Sequence, residues 1–295
     1  MMDANTVQTN LDNIRKNLDA SPLLRTLRNP VKMITPIIMR RLSSKKEVVL
    51  DLVSGGKFHG ILPEAVTTMV WRHGYFDYKT SKNILSHLPE NGVFIDIGAH
   101  FGYFSSLAAN VLGKGGTVVS IEAMPTTFKY LQKNLKENAN GANVHAINKA
   151  AYNKETTLTF SDYGVVFSSL NSAFGIRNNK IDQTKVVDVN VSTVLVDNVI
   201  NELSLKRIDV IKIDAESSEY YVLEGMKNIL KKFSPVLIIE LGDDGIEGDE
   251  KGSKAVVNLL KSFNYEAYEL QGDTLVNVSD RDKYHYCNLV FKKSK

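Results

Sequence analysis

From residue 93 onward the hydrophobic positions switch repeatedly between two periods. Val93-Phe94-Ile95-Asp96-Ile97 is an apolar run short enough for a buried strand, and after a turn from Gly98 to Gly102 apolar residues recur at Phe104, Leu107, Ala108, Val111 and Leu112, the spacing of one helix face. The alternation continues. Thr117 to Glu122 predicts a second strand, Val144 to Asn148 a third, Ile208 to Asp214 a fourth and Pro235 to Leu241 a fifth. Between them, Pro125 opens a helix with Phe128, Leu131 and Leu135 on its core side, and Leu223, Met226, Ile229, Leu230 and Phe233 form the stripe of another. Ala255 to Phe263 reads as a helix, with strands at Tyr265 to Leu270 and Tyr286 to Phe291. Thr157 to Phe160 and Val186 to Val191 are β-like runs joined by polar Ser161 to Lys185, a candidate substrate-side loop, while Gly242 to Gly252 reads as a mobile loop. Strand-helix alternation with short connections specifies an α/β fold, a doubly wound and mostly parallel sheet covered on both faces.

Ahead of the sheet the pattern changes. Residues 1–46 are predicted as a helical extension in short pieces broken at Pro22, Pro30 and Pro36, with Leu23, Leu24, Leu27, Val31, Ile34, Ile37 and Ile38 among basic residues. Such a segment packs on the core or on a second subunit, making a homo-oligomer contact, or it touches an anionic membrane surface peripherally. Residues 47–90 hold a hairpin about Gly55-Gly56, then the cluster Trp71 to Tyr78, read either as structural or as a lid and substrate wall. Residues 91–295 form the ligand-binding domain.

Composition narrows the function class. The net charge of +3 conceals an asymmetry, because residues 1–46 carry nine Lys/Arg against three Asp and leave the remainder at −3. A mildly acidic body argues against a duplex-binding enzyme, so no nucleic-acid partner is expected. One cysteine, Cys287, no long apolar span and no signal-peptide layout give a cytoplasmic expectation.

In doubly wound sheets ligands lie beyond the carboxyl ends of the strands, which collects Asp96, Gly98, Glu122 and Asp214 at one crevice. Gly98 and Gly102 lack the three-glycine spacing that admits a pyrophosphate, and no phosphate-binding loop occurs anywhere. Glu122 follows Gly102 by twenty residues, the place from which a strand-end carboxylate accepts ribose hydroxyls. An aspartate before the first glycine repels a diphosphate and suits an ammonium group. S-adenosylmethionine, with an amino-acid tail, a ribose and no phosphate, fits; its expected contacts are Asp96, Gly98, Ala99, Gly102, Glu122, Ala123, Lys149, Ala150 and Asp214.

Val93 to Gly102, Ile121-Glu122-Ala123-Met124-Pro125 and Ile211-Lys212-Ile213-Asp214-Ala215-Glu216-Ser217-Ser218-Glu219 with Leu223-Glu224-Gly225 resemble the FkbM-type methyltransferases, class I S-adenosylmethionine-dependent enzymes. The resemblance spans roughly Gly74 to Glu240. It implies a seven-stranded Rossmann-like sheet whose last strand runs antiparallel, and methyl transfer to hydroxyl oxygens of sugars, glycans or secondary metabolites. His100 stands where that family usually has asparagine and Ser217 where it has glycine; Ser217 is a candidate cap for the helix that follows.

A hydroxyl acceptor must lose a proton, and Asp214 is the first candidate base, with Glu216 or His100 second. His100 has a plain turn role as its alternative. Lys212 pairs with a neighbouring carboxylate or meets substrate, and Trp71, Tyr75 and Glu240 complete the expected acceptor side. Asp214, Glu216 and Glu240 could instead hold Mg²⁺, although no metal is expected because the spacing is not diagnostic. The rival functions are a nicotinamide-dependent oxidoreductase, disfavoured by the glycine spacing, and a non-catalytic scaffold protein.

Overall fold

A computed structural model describes residues 2–17, 22–170, 186–243, 251–272 and 274–294. Three helices, α1 (Ala4–Asn17), α2 (Pro22–Arg28) and α3 (Pro30–Arg41), precede a hairpin of β1 (Lys46–Asp51) and β2 (Lys57–Leu62), followed by α4 (Ala65–His73) and α5 (Tyr78–His87). The first half of the sheet comprises β3 (Val93–Ile97), α6 (Tyr103–Val111), β4 (Thr117–Ile121), α7 (Pro125–Asn138) and β5 (Asn143–Ile147). An insertion of β6 (Ala150–Ala151), β7 (Thr157–Asp162), a 3₁₀ turn (Val165–Leu170) and β8 (Val187–Val194) comes next. The second half runs α8 (Val196–Glu202), β9 (Val210–Ile213), α9 (Glu219–Glu224), α10 (Lys227–Lys232), β10 (Val236–Leu241), α11 (Ser253–Ser262), β11 (Tyr265–Gln271), β12 (Thr274–Asn277) and β13 (Cys287–Lys293).

The seven strands expected for the main sheet all join one sheet, in the order β12-β11-β13-β10-β9-β3-β4-β5, to which the short β12 adds an eighth, edge position. β13 lies antiparallel between β10 and β11, as the resemblance implied. From β3 the chain winds outward to β4 and β5, then returns to place β9 on the other side of β3. That reversal opens a crevice beyond the carboxyl ends of β3 and β9.

Alternation along each strand divides the core in two. Phe94, Val118, Val210, Ile238 and Val290 face one layer, beneath α5, α6, α7 and the hairpin. Ile95, Val119, Ile211, Ile239 and Leu289 face the other, beneath α8 to α11. Helix α1 is held to α5 by buried Val7 and Leu11 and by Asp12, which accepts from Tyr78 Oη at 2.6 Å and Lys82 Nζ at 3.1 Å. Two asparagines of α7 grip β2 as a neighbouring strand would: Asn134 accepts from the His59 N–H and donates to the His59 carbonyl, and Asn138 does the same for Lys57.

Two elements differ from the periodicity. Pro36 sits inside α3 without ending it. The helix expected to run through Phe233 is broken between α9 and α10 at Gly225, where the chain presses so close to the Tyr152 carbonyl that a Cβ would lie 2.2 Å from its oxygen. The two β-like runs around residues 157 and 191 pair as an antiparallel hairpin, β7 with β8; residues 171–185 of the polar segment between them, and 244–250 of the expected mobile loop, lie outside the described residues. Among the described residues no helix is long and apolar enough to cross a membrane.

Candidate active site

A cavity of ≈ 360 Å³ opens at the ends of β3, β4, β9 and β10. Its floor is the turn after β3. Gly98 takes a φ of +70°, and a Cβ there would lie 1.8 Å from the Asp214 carbonyl oxygen, so only a glycine lets the two strand tips meet. Lys212 Nζ crosses beneath and donates to the Gly98 carbonyl at 3.0 Å.

Glu122, at the tip of β4, is fixed by three donors. Its Oε1 accepts from the Met124 N–H at 3.0 Å and Thr127 Oγ1 at 2.7 Å, and its Oε2 accepts from the His100 N–H at 2.8 Å. The carboxylate is locked in orientation yet lines the cavity, with lone-pair capacity left on Oε2. His100 adopts a φ of +53°, a conformation open to asparagine and explaining why that residue suits the position. Its Nε2 pairs with Ser168 Oγ at 2.7 Å, its ring stacks on Phe101 at 4.6 Å, and its Nδ1 is buried without a hydrogen-bond partner among the described residues.

The second half of the cavity is a charge cluster made by sheet register. Asp96 of β3 and Lys212 of β9 are partners in the parallel ladder. Lys212 Nζ lies 3.6 Å from Asp96 Oδ1 and 3.2 Å from Asp214 Oδ2, and it stays protonated because these carboxylates outweigh the cost of burial. Burial drives the Asp96 carboxyl upward, only partly offset by Lys212 and by the hydroxyl of Ser105 at 2.6 Å. Burial also acts to raise Asp214, but Lys212 and a hydrogen bond from Glu240 overcome it and hold Asp214 below the usual carboxylate range. Glu240 moves the other way: the Asp214 charge, then burial, push it well above the ordinary glutamate range. Two carboxyls in contact cannot both ionise, so near neutral pH the pair holds one proton, on Glu240.

Asp214, Glu216, His100, Lys212 and Glu240 line the cavity together with Gly98, Ala99, Glu122, Ala123, Lys149 and Ala150. Asp96 does not; it lies fully buried below the turn and acts through Lys212. Gly102 caps α6 at a φ of +82°, packed under Leu131, and is likewise behind the wall. Trp71 and Tyr75, expected on the substrate side, are absent from the lining: Trp71 on α4 packs against the core, and Tyr75, just past the Gly74 cap of that helix, is buried in it. Phe76 reaches the cavity instead, wedged between Tyr103 and Phe104. Ser217 does not cap α9. It stands at a φ of +75°, and the loop is tied by Glu219, which accepts from the N–H groups of Ala215 and Ser217.

Several lining residues carried no signal of their own: Leu158 and Phe160 from β7, Ser168 from the 3₁₀ turn, Val66 from α4 and Tyr286 before β13. Only the reading of the segment after Phe160 as a substrate-side loop pointed toward Ser168. Among the described residues no group of three or more His, Cys, Asp or Glu is arranged to hold a metal ion.

The Methyltransferase FkbM domain profile matches residues 96–267, more than half of the chain and the whole of the charge cluster. The AMB antimetabolite synthetase AmbE of Pseudomonas aeruginosa is 26% identical over 260 residues, 79% of this chain but only 12% of that protein's length. Methyltransferase 1 of Beauveria bassiana is 24% identical over 57% of this chain and 71% of its own. The crystal structure of Methyltransferase FkbM from Methylobacillus flagellatus superposes with a TM-score of 0.41 at 15% identity, covering 78% of this chain and 56% of that one. By the family match over its sheet and cavity, the chain belongs to the FkbM methyltransferase family.

Proposed function

We propose that the protein is an S-adenosylmethionine-dependent O-methyltransferase acting on a hydroxyl of a small molecule or glycan. One observation carries the reading: Asp214, 3.2 Å from Lys212, lines the same cavity as the Gly98 turn and Glu122. The lining suits the donor. Glu122 has an acceptor site for ribose hydroxyls, apolar Ile121, Ala123, Met124, Leu158 and Phe160 offer a dry wall for a base, and Glu122, Asp214 and Glu216, besides the protonated Glu240, set three carboxyl groups against two lysines, which suits a ligand with ammonium and sulfonium charges.

When bound, S-adenosylmethionine supplies a methyl group on a sulfonium, whose C–S bond breaks with its electron pair left on sulfur as the acceptor oxygen bonds to carbon. Asp214 takes the hydroxyl proton. Lys212 keeps that carboxylate unprotonated and available, and the proton on Glu240 spares the cavity a further negative charge. A carboxylate held below its usual range is a weak base, so much of the rate must come from holding the acceptor in line. Glu216 and His100, on the same wall, are the next candidates for the base.

Calorimetry with S-adenosylmethionine and S-adenosylhomocysteine tests the donor: saturable binding is expected, weakened by Glu122→Ala, and no heat with either ligand sinks the proposal. Mass spectrometry of candidate acceptors tests the transfer, the expected product gaining one methylene unit on oxygen. Methylation at nitrogen or carbon would keep the donor and replace the reaction.

A further inference from the structure

Helix α3 is amphipathic with its apolar side turned outward. Its inward side is Met33, whose carbonyl accepts from Arg72 Nη2 at 3.0 Å, buried Pro36, and Arg40, whose Nη2 donates to the Pro63 carbonyl at 3.1 Å. The opposite side carries Val31, Ile34, Ile38 and Leu42, at i, i+3, i+7 and i+11, all exposed, with Val31 at 65% and Leu42 at 71%. Leu27 of α2 extends the row at 69%. Of the thirteen large apolar side chains exposed in the described residues, seven lie between Leu24 and Leu42, so this is a patch and not the usual scatter.

The charges on the segment itself have one sign. Residues 20–46 contain seven Lys/Arg and no Asp or Glu. Lys32 and Arg41 fall on opposite flanks of the apolar stripe, about a third of a turn to one side and about a sixth to the other. At the base of α3, Arg40 stands near Arg72 of α4, and neither has a carboxylate partner among the described residues. Among the described residues, Arg72 Nε and the neighbouring Trp71 Nε1 are buried without acceptors. Burial, and after it the Arg40 charge, pull the Arg72 guanidinium below its ordinary value, a repulsion that an anion would relieve. An apolar row flanked by Lys32 and Arg41, neither of them in a salt bridge among the described residues, matches a phospholipid surface, apolar below and anionic at the headgroups.

We propose that α2 and α3 form an interfacial anchor that lays the protein on a bilayer containing anionic phospholipid, with Val31, Ile34, Ile38 and Leu42 entering the headgroup boundary and the flanking Lys32 and Arg41 meeting phosphates. Val66, which lines the cavity, and Arg72, which holds α3, belong to the same helix α4, so the anchor and the cavity share one wall. The anchor stands independently of the methyl-transfer reading.

Flotation of the full chain with phosphatidylcholine vesicles, with and without about a third of phosphatidylglycerol, tests the proposal. Binding should be at least about tenfold stronger with the anionic lipid and should fall as salt is raised. Ile34→Glu with Ile38→Glu, both at exposed positions, should lower it about tenfold or more while circular dichroism stays unchanged. Lys32→Gln with Arg41→Gln should remove much of the preference for anionic lipid. Failure to float with either vesicle overturns the proposal. So does a concentration-dependent dimer, seen by light scattering and abolished by the Ile34 and Ile38 substitutions without any vesicle binding, which would assign the patch to a second copy of the chain.

Discussion

Asp96 and Lys212 are cross-strand partners of the parallel ladder between β3 and β9, and their charged groups meet at 3.6 Å with both residues buried. Lys212 is the cation that two carboxylates, fully buried Asp96 and half-buried Asp214, share, and it also ties down the Gly98 turn. Replacing it by methionine keeps the apolar stem but strands both acids. Lys212→Met should cost about 3–5 kcal/mol, read as a lower urea midpoint. A variant as stable as the wild type would mean that the acids protonate at little cost.

The proton on Glu240 links stability to pH. Its folded pKa is raised, so the folded protein holds a proton that the unfolded chain releases. The resulting stability is complete below the ordinary value of 4.5 and is lost as pH rises toward about 9. Asp214, lowered, contributes above its ordinary value and loses that contribution only in acid. Glu240→Gln, which mimics the protonated acid and can still donate to Asp214, should flatten the fall in melting temperature between neutral and alkaline pH. An unchanged slope would place the proton elsewhere.

Asp214→Asn removes the proposed base while preserving shape. Turnover should fall about 10²–10⁴-fold, with S-adenosylhomocysteine affinity changed little. Unchanged turnover would move the proton transfer to Glu216 or His100.

Gly98→Ala would place a Cβ 1.8 Å from the Asp214 carbonyl oxygen, at a φ that disfavours any side chain. The strand tips must then separate. Both the melting temperature and ligand affinity should drop, and a variant that binds normally by calorimetry would show that the turn has slack.

How much of this was legible in sequence follows from the range of each signal. Local periodicity carried the seven main strands, because a buried strand or an amphipathic helix is written in consecutive residues. The β12 edge strand is four residues long and largely exposed, and leaves no such trace. Asp96, Gly98, Glu122 and Asp214 could be named because each stands at a strand end, a place defined along the chain. Trp71 and Tyr75 were misplaced for the opposite reason: an aromatic next to a basic residue looks alike in a cavity wall and in a core, and only the seating of α4 and the turn after it against the hairpin and α3 puts them in the core while Phe76 faces the cavity.

The chain by itself determined the doubly wound fold, the glycine turn and the carboxylates at its edge, since these depend on local pattern and on spacing within one strand-turn-helix unit. Tertiary structure decided the rest. The register of β3 against β9 brings Lys212 to Asp96, the placement of β10 presses Glu240 on Asp214, and packing of α3 on α4 turns its apolar stripe outward. Each joins residues far apart in sequence, and the strength of a buried charge or an exposed apolar row depends on what surrounds it in space.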